Sequence, residues 1–354
     1  MKIFEYNPKL GGLSMGMEVF PQNEVVEVLK LSREAQYSYN NTHKQWFQHL
    51  NKTIDNYTTQ NSFDLAILHP DIGENITKRG RHNFKTDDLE ACFDFLAREK
   101  PKFAIIPVNI DGIPYLNTAN SYVRDGFGEL SKDFIIESLQ NMGFKASLLA
   151  INMASYGVPI NKNIAIYVAT PPDHQIRVPR TGFSRFGNSS KRRFISIGEA
   201  IGDLGSLSEW SPYKTPALNV FQRNMRRSEG RCTWHFRKRP LTENQEIAIQ
   251  GVKPGSSASK TPSVKPKRGY FRPKWDSVCK NLDEQYYLTS SLYSSIHPIE
   301  NRPFTIREGC RLMGLPDTMT FELKYSPAKI SKLVVNSISP IIGEIIAIAI
   351  NATS

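Results

Sequence analysis

The chain has 354 residues, of which 40% are hydrophobic and 22% charged, and its formal net charge is +11. This length and apolar fraction suit one large domain or two ordinary ones with a buried core, which excludes intrinsic disorder or a fibrous architecture for the whole chain. Four widely spaced cysteines without a CxxC pair argue against a zinc ribbon or other metal site and against a disulfide framework.

The ends of the chain bear on its location. The first residues lack the apolar run of a signal peptide. The most apolar stretch, 333–350, is interrupted by polar residues and predicts a buried helix, not a membrane span. We therefore expect a cytoplasmic or nucleoid-associated protein with no membrane partner.

Residues 1–175 alternate short apolar runs with amphipathic segments. Candidate strands are 24–29, 63–68, 103–108, 146–151 and 164–169, and candidate helices are 33–40, 86–99 and 132–142. This alternation predicts an α/β fold, with a mostly parallel sheet covered by helices on both faces. Gly11 and Gly12 lie where a first strand would turn into its helix, although a simple turn explains two glycines equally well. Ligands of such sheets bind over the carboxyl ends of the strands.

The positive charge is concentrated in the next segment. From Arg177 to Lys274 the chain has 21 Lys and Arg against 6 Asp and Glu, so the remaining residues are slightly acidic overall. Cations interleaved with aromatic residues are typical of a nucleic-acid surface, the alternative being a solvated basic face. The candidate DNA-binding residues are Lys191, Arg192, Arg193, Arg226, Arg227, Arg237, Lys238, Arg239, Lys267 and Arg268.

The segment 176–300 has poor periodicity and many turn residues, which predicts a separate, irregular, β-containing domain. The apolar tail predicts helices that pack back on the first domain. We therefore divide the chain into a domain of residues 1–175, completed by 325–354, and a basic domain of residues 176–324.

Several blocks, in order along the chain, resemble the cytosine-5 DNA methyltransferases. The clearest is RPFTIREGCRLMGLPD at 302–317, which resembles the family's RxLTxREAARLxGFPD. The other blocks are SYGVP at 155–159, SIGEAIGDL at 196–204, the segment 102–112, and Asn336 with Pro340. The resemblance implies a Rossmann-like, S-adenosylmethionine-dependent methyltransferase fold with a smaller target-recognition domain that binds double-stranded DNA.

The resemblance also shows which chemical groups are replaced. In that family, a cysteine in a Pro-Pro-Cys loop attacks a flipped cytosine, and a glutamate in an ENV block protonates the ring. Here Ile72 takes the cysteine position and Val108 the glutamate position, while Lys162 and Ile164 take those of two paired arginines. These replacements predict that covalent catalysis is lost and that the chain is a pseudoenzyme.

The cofactor blocks also differ from the family pattern. The glycine turn keeps Gly11 and Gly12 but has Lys9 in place of a third glycine. Lys30 aligns with the family's ribose-binding glutamate, unless Glu27 or Glu34 is the true counterpart, and Asn336 falls in the C-terminal block. We therefore expect these residues to be vestiges of a degraded S-adenosylmethionine site, and no bound cofactor.

The preferred hypothesis is a catalytically inactive DNA-binding homologue that regulates or gives specificity to an active methyltransferase, or to a restriction-modification or defence system. A second hypothesis is an enzyme with altered chemistry, with His69, Asp71 and Glu74 in the former nucleophile loop and lysines that hold an anionic ligand. A protein- or RNA-binding module and an active DNA cytosine methyltransferase with a displaced cysteine are further alternatives. The retained residues of 302–317 are expected to act as scaffold and to join the two domains.

Overall fold

The computed structural model describes residues 1–48, 52–71, 73–76, 82–85, 87–108, 132–205, 212–226, 241–257, 270–280, 282, 284, 286 and 295–351. The strands are β1 Lys2–Tyr6, β2 Glu24–Leu29, β3 Leu65–Leu68, β4 Gly73–Ile76, β5 His82–Lys85, β6 Phe103–Val108, β7 Lys145–Asn152, β8 Asn163–Thr170, β9 Phe183–Ser184, β10 Arg192–Arg193, β11 Ser256–Ser257 and β12 Phe271–Arg272. The helices are α1 Gly12–Met17, α2 Arg33–Asn40, α3 Asp87–Glu99, α4 Lys132–Asn141, α5 Ile197–Ile201, α6 Val220–Arg226, α7 Glu243–Gln250, α8 Ile306–Leu312, α9 Pro327–Asn336 and α10 Pro340–Asn351, with a 3-10 helix at Met153–Tyr156.

The central sheet has the order β2-β1-β3-β6-β8-β7. Its first four strands are parallel, and β8 runs antiparallel to both β6 and β7. The sheet is therefore mixed, where the sequence predicted a mostly parallel one. Only ten residues separate β7 from β8, and a parallel pair needs a longer crossover, usually a helix.

The alternation of side chains along the strands divides the core between the two faces of the sheet. On β3, Leu65 and Ile67 belong to one cluster of buried residues, while Ala66 and Leu68 belong to another. The second cluster is closed by α3 and α4. The first is closed by α1, α2, α9 and α10, and it continues without a break into α5, α6 and α8 of the second half of the chain.

The C-terminal helices pack on the helix that follows the glycine turn. The stretch Pro327–Asn351 is long and apolar enough to cross a membrane by composition alone, but 67% of its most apolar window is buried inside the protein. It also breaks at 337–339, between α9 and α10. Its buried face lies against α1 at Gly16 and Gly343, where a Cβ on either glycine would collide with a backbone carbonyl of the other helix. This stretch is therefore part of the core.

Two of the blocks that resemble the methyltransferase family begin helices in the same way. In α5, the Ser196 side chain accepts from the Glu199 amide, and Glu199 accepts from the Ser196 amide. In α8, Thr305 and Glu308 form the same reciprocal pair. Such capping boxes satisfy amide groups that have no partner within the helix, so the retained Ser/Thr-x-x-Glu patterns stabilise helix starts.

Candidate functional site

The carboxyl ends of β1, β3 and β6 lie at one edge of the sheet because these strands are parallel neighbours. The glycine turn follows β1, Lys30 follows β2, and His69, Pro70 and Asp71 follow β3. The elements that the sequence assigned to the cofactor and to the nucleophile loop thus meet at the edge where ligands of such sheets bind.

The turn after β1 has an unusual backbone. Asn7, Lys9 and Gly11 all have left-handed conformations, with φ values of 52°, 57° and 66°. The turn is also tied to the connection between α9 and α10, since the Leu10 amide donates to Ser337 Oγ at 3.3 Å. Gly12 lies against the Ile338 carbonyl so closely that a Cβ would collide with it. The turn is therefore held in place by the C-terminal part of the chain.

A buried carboxylate lies directly beside this turn. Glu5 is fully buried at the end of β1, and its Oε2 accepts from Ser14 Oγ at 2.6 Å and from the Tyr39 hydroxyl at 2.5 Å. Its Oε1 has no hydrogen-bond partner among the described residues. His69 Nε2 also has no hydrogen-bond partner there, and it lies 3.5 Å from Glu5 Oε1. Burial and the Glu5 charge raise the pKa of Tyr39, so its hydroxyl stays a donor. The hydrogen bonds among the described residues therefore leave one oxygen of Glu5 unsatisfied.

Asp71, in the loop after β3, binds the two lysines of the predicted cofactor side. Its carboxylate lies 2.8 Å from Lys9 Nζ and 3.0 Å from Lys30 Nζ, and it accepts from Asn7 Nδ2 at 2.9 Å. Burial acts to raise the pKa of Asp71, but Lys9, Lys30 and Asn7 hold it well below its ordinary value. The carboxylate is therefore ionised at neutral pH.

Asp88, on α3, is a second carboxylate of the same cluster. It lies 3.1 Å from Lys30 Nζ and accepts from the Tyr6 hydroxyl at 2.5 Å and from the Asp71 amide at 2.6 Å. Lys9 and Lys30 thus lie among two carboxylates, those of Asp71 and Asp88. The altered-chemistry hypothesis needs free cations for an anionic ligand, and these lysines are already neutralised.

The other possible ribose-binding residues are engaged elsewhere. Glu27 accepts from the amides of Gln60 and Asn61, and Glu34 forms an ion pair with Lys329 at 2.6 Å. Lys30 directly follows β2, and its correspondence to the family's ribose-binding glutamate stays a prediction.

The predicted degenerate positions are apolar or internally bonded where the structure describes them. Val108 is buried at the end of β6, and Ile164 is buried in β8. Lys162 is buried and its Nζ donates to the Val335 carbonyl at 2.9 Å, so it is not a cation for a ligand. Ile72 and the side chain of Glu74 lie outside the described residues.

The cysteines show no displaced nucleophile in the described part of the chain. Cys92, Cys279 and Cys310 are all buried free thiols. Burial raises the pKa of Cys92 well above its ordinary value and that of Cys310 to about 11, whereas a nucleophilic cysteine needs its thiolate form. Cys232 lies outside the described residues.

The predicted DNA-binding cations have different surroundings. Arg192 and Arg193 are exposed on β10, and Lys191 is half-buried beside them. Arg226 is instead bound to Asp203 at 2.6 Å, so it is committed to the interior and we leave it out of the proposed DNA surface. The predicted residues that lie outside the described ones are Arg227, Arg237, Lys238, Arg239, Lys267 and Arg268.

The other predicted cofactor residue, Asn336, ends α9. Its Nδ2 donates to Glu284 Oε1 at 2.8 Å and to the Lys332 carbonyl at 3.0 Å. The next residue, Ser337, is the one that reaches the glycine turn. The sequence pattern pointed to Asn336 and not to Ser337, its neighbour.

The retained block 302–317 forms an ion network that joins the two halves of the chain. Arg311 is fully buried and pairs with Asp317 through two bonds, 2.6 Å from Oδ1 and 2.5 Å from Oδ2. It also lies 3.3 Å from Asp203, which belongs to the block 196–204. Tyr213 donates to Asp317, and the Arg226 guanidinium lies 3.9 Å from the Tyr213 ring centre. Glu308 does not pair with Arg311 but binds Arg302 through two bonds of 2.7 Å.

The comparisons with known proteins identify the family. The model of the C-5 cytosine-specific DNA methylases matches residues 128–352, more than half of the chain. The chain belongs to this family. The type II methyltransferase M.DdeI of Desulfomicrobium norvegicum is 25% identical over 385 residues, covering 98% of this chain and 88% of that protein.

Solved structures share the fold at low identity. A prophage-encoded DNA modification methyltransferase of E. coli has a TM-score of 0.72 at 12% identity, covering 100% of this chain and 99% of that one. The Dnmt2 methyltransferase of S. pombe has a TM-score of 0.59 at 14% identity, covering 99% and 98%. The α/β methyltransferase fold predicted from the sequence is confirmed.

Family membership corrects one expectation. We expected a degraded site without a cofactor, but the members of this family are S-adenosylmethionine-dependent methyltransferases, and the prediction was wrong. The structure gives the physical reason: the sequence showed the positive charges of Lys9 and Lys30 but not the carboxylates of Asp71 and Asp88 that neutralise them.

The residues at the turn fit that cofactor. The buried Glu5 carboxylate has an oxygen without a hydrogen-bond partner among the described residues. Gly11 packs against Tyr39, and the Ser337 hydroxyl is already bonded to Leu10 and Leu333. A buried carboxylate oxygen suits an ammonium donor such as that of the methionine group.

Proposed function

We propose that this protein is a DNA-binding member of the C-5 cytosine methylase family that holds S-adenosylmethionine but does not transfer its methyl group by the covalent route. One observation carries the proposal. The loop after β3 has the sequence His69-Pro70-Asp71-Ile72, so the nucleophile loop of the resemblance contains no cysteine.

A second position supports the same conclusion. The family's acid belongs at the end of β6, where this chain has the buried hydrocarbon side chain of Val108. Loss of a nucleophile alone lowers turnover by about 10⁴- to 10⁶-fold in enzymes that form covalent intermediates. The matched range of the family model begins at residue 128, beyond both positions.

The cofactor would rest on the glycine turn, with Glu5 beside it. When bound, S-adenosylmethionine supplies an electrophilic methyl group. The chain's own residues would hold the cofactor. The left-handed residues of the turn fix the backbone on which it would rest, and Tyr39 and Ser14 hold the Glu5 carboxylate in place. At the predicted nucleophile and acid positions the chain offers no group to attack cytosine or to protonate it.

The biological role we infer is that of a regulatory or specificity component in the cytoplasm or nucleoid. Its partner would be an active methyltransferase or another subunit of a restriction-modification or defence system. M.DdeI, which matches over nearly the whole chain, is by its name a type II methyltransferase, and this supports that setting. The basic surplus of the segment from Arg177 to Lys274 supports DNA as the ligand.

Binding to duplex DNA as a function of salt tests the proposal. A protein that neutralises six phosphates should lose about 10³-fold in affinity between 50 and 200 mM salt, because counterions are released on binding. We expect a slope of this order in a fluorescence anisotropy titration with random-sequence duplex. A flat response, or binding to an acidic polypeptide with equal affinity, would contradict DNA binding.

A further inference from the structure

Residues 177–194, called here the basic loop, carry the densest positive charge that the structure describes. The loop contains six cations and no Asp or Glu, and the cations are Arg177, Arg180, Arg185, Lys191, Arg192 and Arg193. A surface of this kind attracts a polyanion along its whole length.

At the tip of the basic loop lies an exposed aromatic ring. Phe186 is 83% exposed, more than any other large hydrophobic residue that the structure describes. The Arg185 guanidinium lies 5.2 Å from the centre of its ring, and the next residue, Gly187, has a left-handed φ of 70°. An exposed phenylalanine forgoes the stabilisation that burial of its ring would give, so the fold alone does not explain its place.

The loop is internally bonded. The Arg192 amide donates to the Gly182 carbonyl at 3.0 Å, and the Phe194 amide donates to the Ser184 carbonyl at 2.9 Å. The Gly187 amide donates to Ser184 Oγ at 3.1 Å. Phe186 is therefore presented on a preformed turn, and little conformational entropy is lost when it binds.

The loop also lies at the edge of the sheet that carries the candidate site. Phe183 packs against Gly157, and the Tyr156 hydroxyl donates to the Pro179 carbonyl at 3.2 Å. The 3-10 helix that holds Tyr156 follows β7, which runs in the same direction as β6 because both are antiparallel to β8. The part of the basic loop from Pro179 onward therefore lies near the carboxyl ends of the parallel strands.

We propose that Phe186 stacks on, or inserts between, bases of duplex DNA while the surrounding cations bind the flanking phosphates. This inference rests on the DNA binding proposed above and names the residue that contacts the bases. Apolar side chains that insert between base steps unstack them, and stacking on an aromatic ring stabilises a base whatever its sequence. Arg185 adds a cation over the ring.

The test uses the full chain and a duplex that carries 2-aminopurine, a base whose fluorescence rises when it leaves the stack. With wild-type protein we expect fluorescence to rise on binding. With Phe186→Ala we expect no rise and a dissociation constant about 10-fold higher, the effect of one stacked base. Phe186→Tyr, which keeps the ring, should retain both the signal and the affinity, and Leu218→Ala, at a side chain that is 66% exposed, should behave as wild type.

The outcomes separate the two proposals. If wild-type protein does not bind the duplex, the proposed function fails. If it binds and Phe186→Ala gives the same rise in fluorescence, or if only an RNA duplex gives the rise, the inference about Phe186 is overturned.

Discussion

Arg311→Met is expected to lower the free energy of unfolding by about 3–5 kcal/mol, because it leaves buried carboxylates without their main counter-ion. Asp317 is only 4% exposed and Asp203 only 3%. Burial acts to raise the pKa of Asp317, but Arg311 and Arg307 hold it below the ordinary value of 3.8. The ion pair of Arg311 and Asp317 therefore contributes its full stabilisation at pH values above 3.8. This stabilisation is lost as the pH falls through the lowered pKa of Asp317, so the difference in the free energy of unfolding between variant and wild type should shrink in acid.

The measurement is urea denaturation at pH 7 and at about pH 2 to 3, below the ordinary pKa of an aspartate, with Lys329→Met as the matched control. Lys329 also forms a 2.6 Å ion pair, with Glu34, but its side chain is 63% exposed, and such exposed pairs contribute little to stability. Equal destabilisation by the two variants would show that the network of Arg311 does not join the two halves of the chain.

Gly343→Ala is expected to destabilise the protein by about 3 kcal/mol and to displace the glycine turn. A Cβ at this position would collide with the Leu13 carbonyl oxygen and would lie 3.0 Å from Gly16 Cα, both in α1. Alanine in place of glycine within a helix would otherwise stabilise it by about 1 kcal/mol. Destabilisation would therefore show that close packing of α1 and α10 outweighs helix propensity, with overpacking as its cause.

Thermal unfolding and S-adenosylmethionine titration calorimetry measure the two effects. Gly182→Ala is the control, since nothing lies within 4 Å of a Cβ there and its φ lies outside the left-handed region. We expect the control to unfold and to bind as wild type does. A Gly343→Ala variant as stable as wild type would contradict the proposed packing of α10 on the turn helix.

Local patterns predicted most of the sheet and its helices. The predicted strand at 24–29 and helix at 33–40 agree with β2 and α2, because apolar periodicity and the Ser32 cap are encoded within a few residues. The antiparallel β8 was missed because strand direction depends on the length of a connection, not on the strand's own pattern. The strand β1 was not named, although its turn was located from Gly11 and Gly12.

The site was predicted less well, for an electrostatic reason. Sequence blocks placed Lys9, Lys30 and Asp71 in the correct turns, but the contacts between them cross from one strand to another. Asp88 lies 58 residues from Lys30 along the chain, and no local pattern links them. The positive charges of Lys9 and Lys30, taken alone, therefore suggested a lost cofactor site. In the folded protein, the carboxylates of Asp71 and Asp88 neutralise these charges.

The most direct test of the central claim is covalent trapping on DNA. The protein is incubated with S-adenosylmethionine and a random-sequence duplex pool in which 5-fluorocytosine replaces cytosine, with an active C-5 cytosine-specific DNA methylase as the positive control. We predict that the duplex is bound but that no adduct survives denaturing electrophoresis. A denaturation-resistant adduct at the level of the control would contradict the account, because it would require a nucleophile that the loop after β3 does not contain.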